Sequence, residues 1–138
     1  MTQLTGMIWF KMIRQEFNVR SYWKVVVWWN LDYHFFDIVL KDVRVMGIDE
    51  ETVKDVYKTM KSRRAKAVTI SNISKHISLI LFNSHNNKID YINSIVHESV
   101  HVKQAMLEAY HVEDEGEAPA YTMGYLVSRM WEGFRKLL

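Results

Sequence analysis

The sequence contains no cysteine, a single proline and only five glycines in 138 residues. Without cysteine the chain can form neither a disulfide framework nor a thiolate metal site, so any metal ion must bind to His, Asp or Glu. The scarcity of proline and glycine favours long regular elements over extended loops. A net charge of +2 is too small to indicate a polyanionic partner by itself.

The sequence also lacks an apolar run of the ~20 residues that a membrane-spanning helix requires. The apolar patch at residues 7–10 is followed by Lys11 and Arg14, and by no small-residue cleavage site of a signal peptide. We therefore expect a cytoplasmic protein that does not associate with membranes. With 49% hydrophobic and 25% charged residues, the composition is typical of one globular domain, here residues 1–138.

Hydrophobic periodicity predicts an α+β domain, strand-rich at first and helix-rich towards its end. In chain order, the predicted elements are a strand at 19–29, a helix at 49–63, an antiparallel hairpin of strands at 67–71 and 76–83, and helices at 88–110 and 117–136. Residues 33–46 fit both a helix and a strand end. The aromatic residues are assigned to the core rather than to a binding platform.

The predicted helix at 88–110 contains His97-Glu98-Ser99-Val100-His101, an H-E-x-x-H motif. Residues four apart on a helix share nearly the same face, so both imidazoles can bind one ion from one side. Glu98 would then lie beside the ion and accept a proton from a water molecule bound to it. The alternative interpretation is a pair of solvated or core histidines without metal.

The apolar residues of this helix predict one buried arc with His97 and His101 on its flank. The arc comprises Ile89, Ile92, Ile95, Val96, Val100, Met106, Leu107 and Tyr110. The flank position favours a groove, because a core histidine would lie within the arc and a solvated one opposite it.

Two histidines leave a catalytic zinc site incomplete, because such a site normally has three protein ligands and water. The third histidine of a metzincin motif would fall at position 107, which is leucine, and the inverted H-x-x-E-H order is absent. Glu117 is the best-placed alternative, because it begins the last predicted helix. Other candidates in the preceding loop remain open: His111, Glu113, Asp114 and Glu115.

The last predicted helix carries a stripe at helical spacing, made of Glu117, Tyr121, Gly124 and Ser128. Gly124 would permit close approach to another helix, and Tyr121 could donate a hydrogen bond to a ligand or to the reacting oxygen. Tyr125 and His111 are the other candidates for this second role. The adjoining core face comprises Val127, Met130, Trp131 and Phe134.

An H-E-x-x-H helix followed by a glutamate on the next helix resembles the gluzincin class of zinc peptidases in a minimal form, over about residues 49–128. Residues 117–126 also resemble the E-x-x-A-Y-x-x-G-Y-L pattern of uncharacterised zincin-like proteins of gut bacteria and their phages. The resemblance implies a zincin-like fold, with a small, mostly antiparallel sheet packed on the active-site helix and the glutamate helix. It also implies zinc (Zn2+) bound by His97, His101 and Glu117, with Glu98 as the general base on a zinc-bound water.

The sequence and the resemblance together predict a zinc-dependent hydrolase, a peptidase acting on a peptide or protein substrate. The strand at 76–83 is the nearest candidate for binding a peptide by strand addition, although its pattern is equally typical of an internal strand. Because the chain is short for a peptidase, the alternative is a non-catalytic binding protein on a zincin scaffold, of phage or mobile-element origin.

A nucleic-acid-binding module is the least favoured function. The basic cluster that would serve it lies at the end of the predicted helix at 49–63, where the helix dipole attracts cations in any case. This cluster comprises Lys58, Lys61, Arg63, Arg64 and Lys66. His85, with two asparagines after it, is interpreted as part of a turn.

Overall fold

Four strands and four helices make up the part of the chain that the computed structural model describes, residues 11–137. The strands are β1 (Ile13–Val19), β2 (Trp23–Trp29), β3 (Ala67–Asn72) and β4 (Ile77–Phe82). The helices are α1 (Phe36–Met46), α2 (Glu50–Lys61), α3 (Lys88–Tyr110) and α4 (Glu117–Arg135), with a 3-10 turn at Tyr33–Phe35 before α1. The apolar patch at 7–10 lies outside the described residues.

The strands form one sheet in the order β1-β2-β4-β3. β1 pairs with β2 and β3 pairs with β4 in antiparallel fashion, whereas β2 and β4 are parallel. The α+β class and the predicted hairpin of β3 and β4 are therefore confirmed. The prediction that the segment at 76–83 is a peptide-binding edge is wrong, because β4 has a partner strand on each side. Its apolar run is typical of a strand buried on both faces.

The sheet lies between two pairs of helices. Side chains alternate between its two faces along each strand, so each strand contributes to a core on either side. On one face, Trp23, Val25, Val27 and Trp29 of β2 join a core with buried residues of α3 and α4. On the other face, Val26 and Trp28 join a second core with buried residues of α1 and α2.

The predicted strand at 19–29 covers the last residue of β1, a tight turn and β2. Arg20 and Ser21 both have positive φ angles, 54° and 63°, so the chain reverses between β1 and β2. The sequence prediction missed β1 because its polar Gln15 faces inward. Gln15 is accommodated there by hydrogen bonds, accepting one from Trp29 Nε1 at 3.1 Å and donating one to the Arg129 carbonyl at 2.6 Å.

The helix boundaries follow from local capping. Asp49 accepts a hydrogen bond from Thr52 N at 2.8 Å at the start of α2, and Asn87 accepts one from Asp90 N at 2.9 Å at the start of α3. Residues 36–46 form a helix rather than a strand, because apolar residues at helical spacing face the sheet. These residues are Phe36, Val39, Val43 and Met46.

The predicted buried arc of α3 is partly wrong. Ile89 is 71% exposed and Val96 is 42% exposed, whereas Ile95 and Met106 are buried. The buried face is instead made of Tyr91, Ser94, Ile95, Glu98, Ser99, Val102, Ala105 and Met106. This face includes three polar side chains, so the helix is oriented by its packing against the sheet and α4 and not by apolar content alone.

The core face predicted for α4 is confirmed, with Met130 and Phe134 fully buried and Val127 and Trp131 packed beside them. The role predicted for Gly124 is wrong, because a Cβ atom at that position would meet nothing within 4 Å. None of the helices within residues 11–137 combines the length and the apolar character needed to cross a membrane.

Candidate metal centre

His97 and His101 lie side by side on the exposed surface of α3. Their Nε2 atoms are 3.2 Å apart. Two nitrogen ligands of one tetrahedral zinc ion, each at ~2.0–2.1 Å, would be separated by about 3.3 Å. The spacing of the histidine pair thus equals that of two ligands of a single zinc ion, and it is also that of a hydrogen bond between the two rings.

Glu98 differs from its two histidine neighbours because it belongs to the buried face of α3. Its side chain is 5% exposed, and its Oε2 atom lies 3.9 Å from Nε2 of His97. Its Oε1 atom accepts a hydrogen bond from the Thr69 hydroxyl at 2.9 Å. One oxygen is thus fixed by β3, and the other lies near the histidine pair.

The structure does not bring a third ligand to this pair. No group of three or more His, Asp or Glu side chains between residues 11 and 137 is arranged to hold a metal ion. Glu117 is exposed in the first turn of α4. In the preceding loop, Asp114 Oδ2 is paired with Lys103 Nζ at 2.9 Å, and His111 ends α3 in a left-handed conformation with φ 54°.

Tyr121 is 69% exposed. It lines a groove formed by the β1–β2 turn and the first turns of α4, together with Tyr125. Tyr125 donates a hydrogen bond from its hydroxyl to the Asn18 carbonyl at 3.0 Å. Neither tyrosine lines the cavity to which His97 and Glu98 contribute.

An open cavity of about 360 Å³ adjoins the motif. Its lining includes His97 and Glu98, together with Lys66 and Asp90. The ammonium of Lys66 lies 3.5 Å from the Asp90 carboxylate in an exposed ion pair. The cavity is at the lower end of the size range of small-ligand sites.

The sequence analysis missed a buried histidine near this cavity. His85 is 7% exposed and stacks on Tyr91, with ring centroids 4.4 Å apart. Its Nδ1 atom lies 2.7 Å from the Asn83 carbonyl, and its Nε2 atom lies 2.7 Å from the Ser94 hydroxyl. Burial lowers the pKa of His85 below its ordinary value. Nothing in the local sequence distinguishes this histidine from a turn residue.

Comparison with protein-family models, with characterised proteins and with solved structures yields no match. The gluzincin interpretation thus depends on the H-E-x-x-H motif and on the geometry around it.

Proposed function

We propose that this protein is a zinc-dependent hydrolase of peptide bonds, centred on His97, Glu98 and His101. One observation carries the proposal: the two Nε2 atoms lie at the spacing of two zinc ligands, beside a carboxylate that β3 holds in place. The zincin-like relationship of the fold is part of the same proposal.

His97 and His101 would hold the ion, with Glu117 as the proposed third ligand. Glu117 directly follows the exposed loop at 111–116, so its position depends on that loop. Zinc, when bound, supplies a Lewis acid that polarises a carbonyl oxygen and lowers the pKa of water.

Glu98 carries the proton in this proposal. Its Oε2 atom takes a proton from the attacking water and transfers it to the nitrogen of the leaving amine. The Thr69 hydroxyl holds Oε1, so the carboxylate keeps one orientation through both transfers. Because the side chain is 5% exposed, little bulk water competes for the proton.

The substrate would bind along β3, which is an outer strand of the described sheet. An extended peptide can pair with the free edge of such a strand through main-chain hydrogen bonds. Thr69 lies on β3 and contacts Glu98, so a peptide on this edge runs close to the proposed base.

A non-catalytic binding protein on the same scaffold is the second candidate. The observation that favours it is that the described residues bring only two histidines, and no third ligand, to one point. The two candidates differ in turnover, whereas both permit metal to bind.

Metal analysis of gently purified protein, followed by turnover of a peptide library, tests the proposal. We expect about one zinc per chain, lost on chelation together with some thermal stability, because an ion bound to the native state alone stabilises it. His97→Ala should abolish binding, and the matched control His34→Ala, at another exposed histidine, should not. Less than a tenth of an equivalent of zinc, with no rise in Tm on adding zinc, would refute the metal site. Stoichiometric zinc without turnover would favour the binding protein.

A further inference from the structure

Ser94 and His85 form a hydrogen-bonded pair that the proposed zinc chemistry does not use. The Ser94 hydroxyl is 2.7 Å from His85 Nε2, although the two residues lie on different elements. Ser94 is on α3, and His85 is in the segment between β4 and α3. Both residues are 7% exposed.

The proton positions in this pair follow from the partner on the other side of the ring. The Asn83 carbonyl oxygen, 2.7 Å from Nδ1, can only accept a hydrogen bond, so Nδ1 carries the proton. In a neutral imidazole the Nε2 atom is then a free acceptor, and the Ser94 hydroxyl must donate to it. Burial favours this neutral form by lowering the pKa of His85.

This arrangement has the order nucleophile, base and orienting group that activates a serine. The Ser94 hydroxyl points its proton at an imidazole nitrogen, and the Asn83 carbonyl fixes the ring in the required tautomer. Stacking on Tyr91 holds the plane of the ring.

Each member of the pair lines an open cavity. Ser94 contributes to the lining of the cavity of about 360 Å³ that also contains His97 and Glu98. His85 contributes to a neighbouring cavity of about 440 Å³. Lys66 lines both cavities, and Asn93 lines the first.

We propose that Ser94 is a nucleophile that accepts the acyl group of a small ester. His85 is its general base. The Ser94 oxygen forms a bond to the carbonyl carbon, and the hydroxyl proton moves to His85 Nε2. When the tetrahedral intermediate collapses, the bond to the ester oxygen breaks and the leaving alcohol takes that proton. Water then hydrolyses the acyl-serine in the same manner, which releases the acid and restores both residues.

This activity requires no metal ion, so its test is independent of the proposed zinc chemistry. The probe is a fluorophosphonate, which phosphonylates activated serines, applied to protein kept in a chelator. Labelling is located and timed by mass spectrometry of the digested chain. The same digest contains two control serines without a base: Ser99, which is buried against Met130, and Ser128, which is exposed and bonded to the Tyr125 carbonyl.

We expect Ser94 to be labelled at least ten times faster than either control serine. His85→Gln should slow the labelling of Ser94 about 100-fold or more, because general-base catalysis contributes at least that factor. The control His34→Gln, at an exposed histidine that lines neither cavity, should leave the labelling rate unchanged. Labelling of Ser94 no faster than Ser128 in the wild type overturns the proposal, whether or not the variants fold. An unchanged rate in a folded His85→Gln protein overturns it as well.

Discussion

The carboxylate of Glu98 accepts a hydrogen bond from the hydroxyl of Thr69 at 2.9 Å, which connects the H-E-x-x-H helix to an outer strand of the sheet. This contact explains how a charged side chain can belong to the buried face of α3. The cost of burying the carboxylate is offset by the hydrogen bond that one oxygen accepts, while the other oxygen lies 3.9 Å from Nε2 of His97. In the proposed enzyme, Thr69 is therefore a positioning residue and Glu98 the base.

Replacing the Thr69 hydroxyl tests this positioning role. Thr69→Val preserves the shape of the side chain but leaves Glu98 Oε1 without its partner. We expect kcat for peptide hydrolysis to fall about 10-fold or more, with zinc affinity nearly unchanged, since partners of site residues typically contribute 10- to 100-fold. Stability should fall by about 1 kcal/mol. Steady-state kinetics, zinc titration and urea unfolding measure the three quantities.

The matched control is Thr122→Val, because the Thr122 hydroxyl donates its hydrogen bond to the Ala118 carbonyl within α4. It should leave kcat unchanged. An unchanged kcat in Thr69→Val would show that the contact is structural only.

Glu98→Gln separates catalysis from metal binding. Glutamine has nearly the same shape but cannot accept a proton at pH 7, so hydrolysis should become undetectable while zinc stays bound. His97→Ala should lose both properties, because His97 is a proposed ligand. Zinc content and peptide turnover are measured on the same preparations. Loss of zinc from Glu98→Gln would mean that Glu98 is a ligand, and full activity would exclude it as the base.

Much of the fold could be predicted because its signals are local. The boundaries of α2 and α3 depend on Asp49 and Asn87, which cap the residues that follow them, and on apolar spacing within each helix. The hairpin of β3 and β4 likewise follows from two β-type runs around a polar turn. The H-E-x-x-H motif could be located for the same reason, because its two histidines are one turn apart.

The remainder depends on contacts between residues far apart in the chain. β1 was missed because Gln15 occupies an inward position, which only its distant partners Trp29 and Arg129 make acceptable. The orientation of α3 depends on Thr69, and the burial of His85 depends on Ser94. A single sequence carries no periodic signal for such pairings.

Two glycines of α4 offer a matched test of packing. A Cβ atom at Gly133 would collide with the side-chain amide of Gln15, which two hydrogen bonds hold in place. Gly133→Ala should therefore lower the free energy of unfolding by about 1–3 kcal/mol. Gly124→Ala meets nothing within 4 Å and should raise it by about 0.5–1 kcal/mol, since alanine favours the helix. Urea unfolding of both variants measures these changes, and equal effects would contradict the packing of α4 on β1.

His85 should make stability depend on pH. Its pKa is lowered from 6.5 in the folded protein, chiefly by burial, with Lys66 acting in the same direction and Asp90 in the opposite one. Below pH 6.5 the unfolded chain binds the proton more readily than the native one, so stability falls as the pH decreases towards the folded-state pKa. The free energy of unfolding should be highest above pH 6.5 with respect to this group.

Urea unfolding at about pH 7.5 and pH 5 checks this expectation, by comparing the wild type with His85→Gln. The variant lacks the titrating group and should lose less stability between the two pH values. The control Ser128→Ala, at an exposed residue without a titrating group, should lose as much as the wild type. Identical losses in all three proteins would show that His85 does not couple folding to protonation.

The third ligand is tested by comparing Glu117 with the acids of the preceding loop. Glu117 begins a regular helix, so its carboxylate loses less conformational freedom on binding an ion than the loop carboxylates do. One of those, Asp114, must also break its ion pair with Lys103 to bind metal. We expect Glu117→Ala to weaken zinc binding by at least the ~10- to 100-fold that loss of a ligand's hydrogen-bond partner causes, because it removes a ligand outright. The triple change of Glu113, Asp114 and Glu115 to alanine should leave zinc affinity nearly unchanged. Titration of each variant against a zinc chelator ranks them, and the reverse ranking would place the third ligand in the loop.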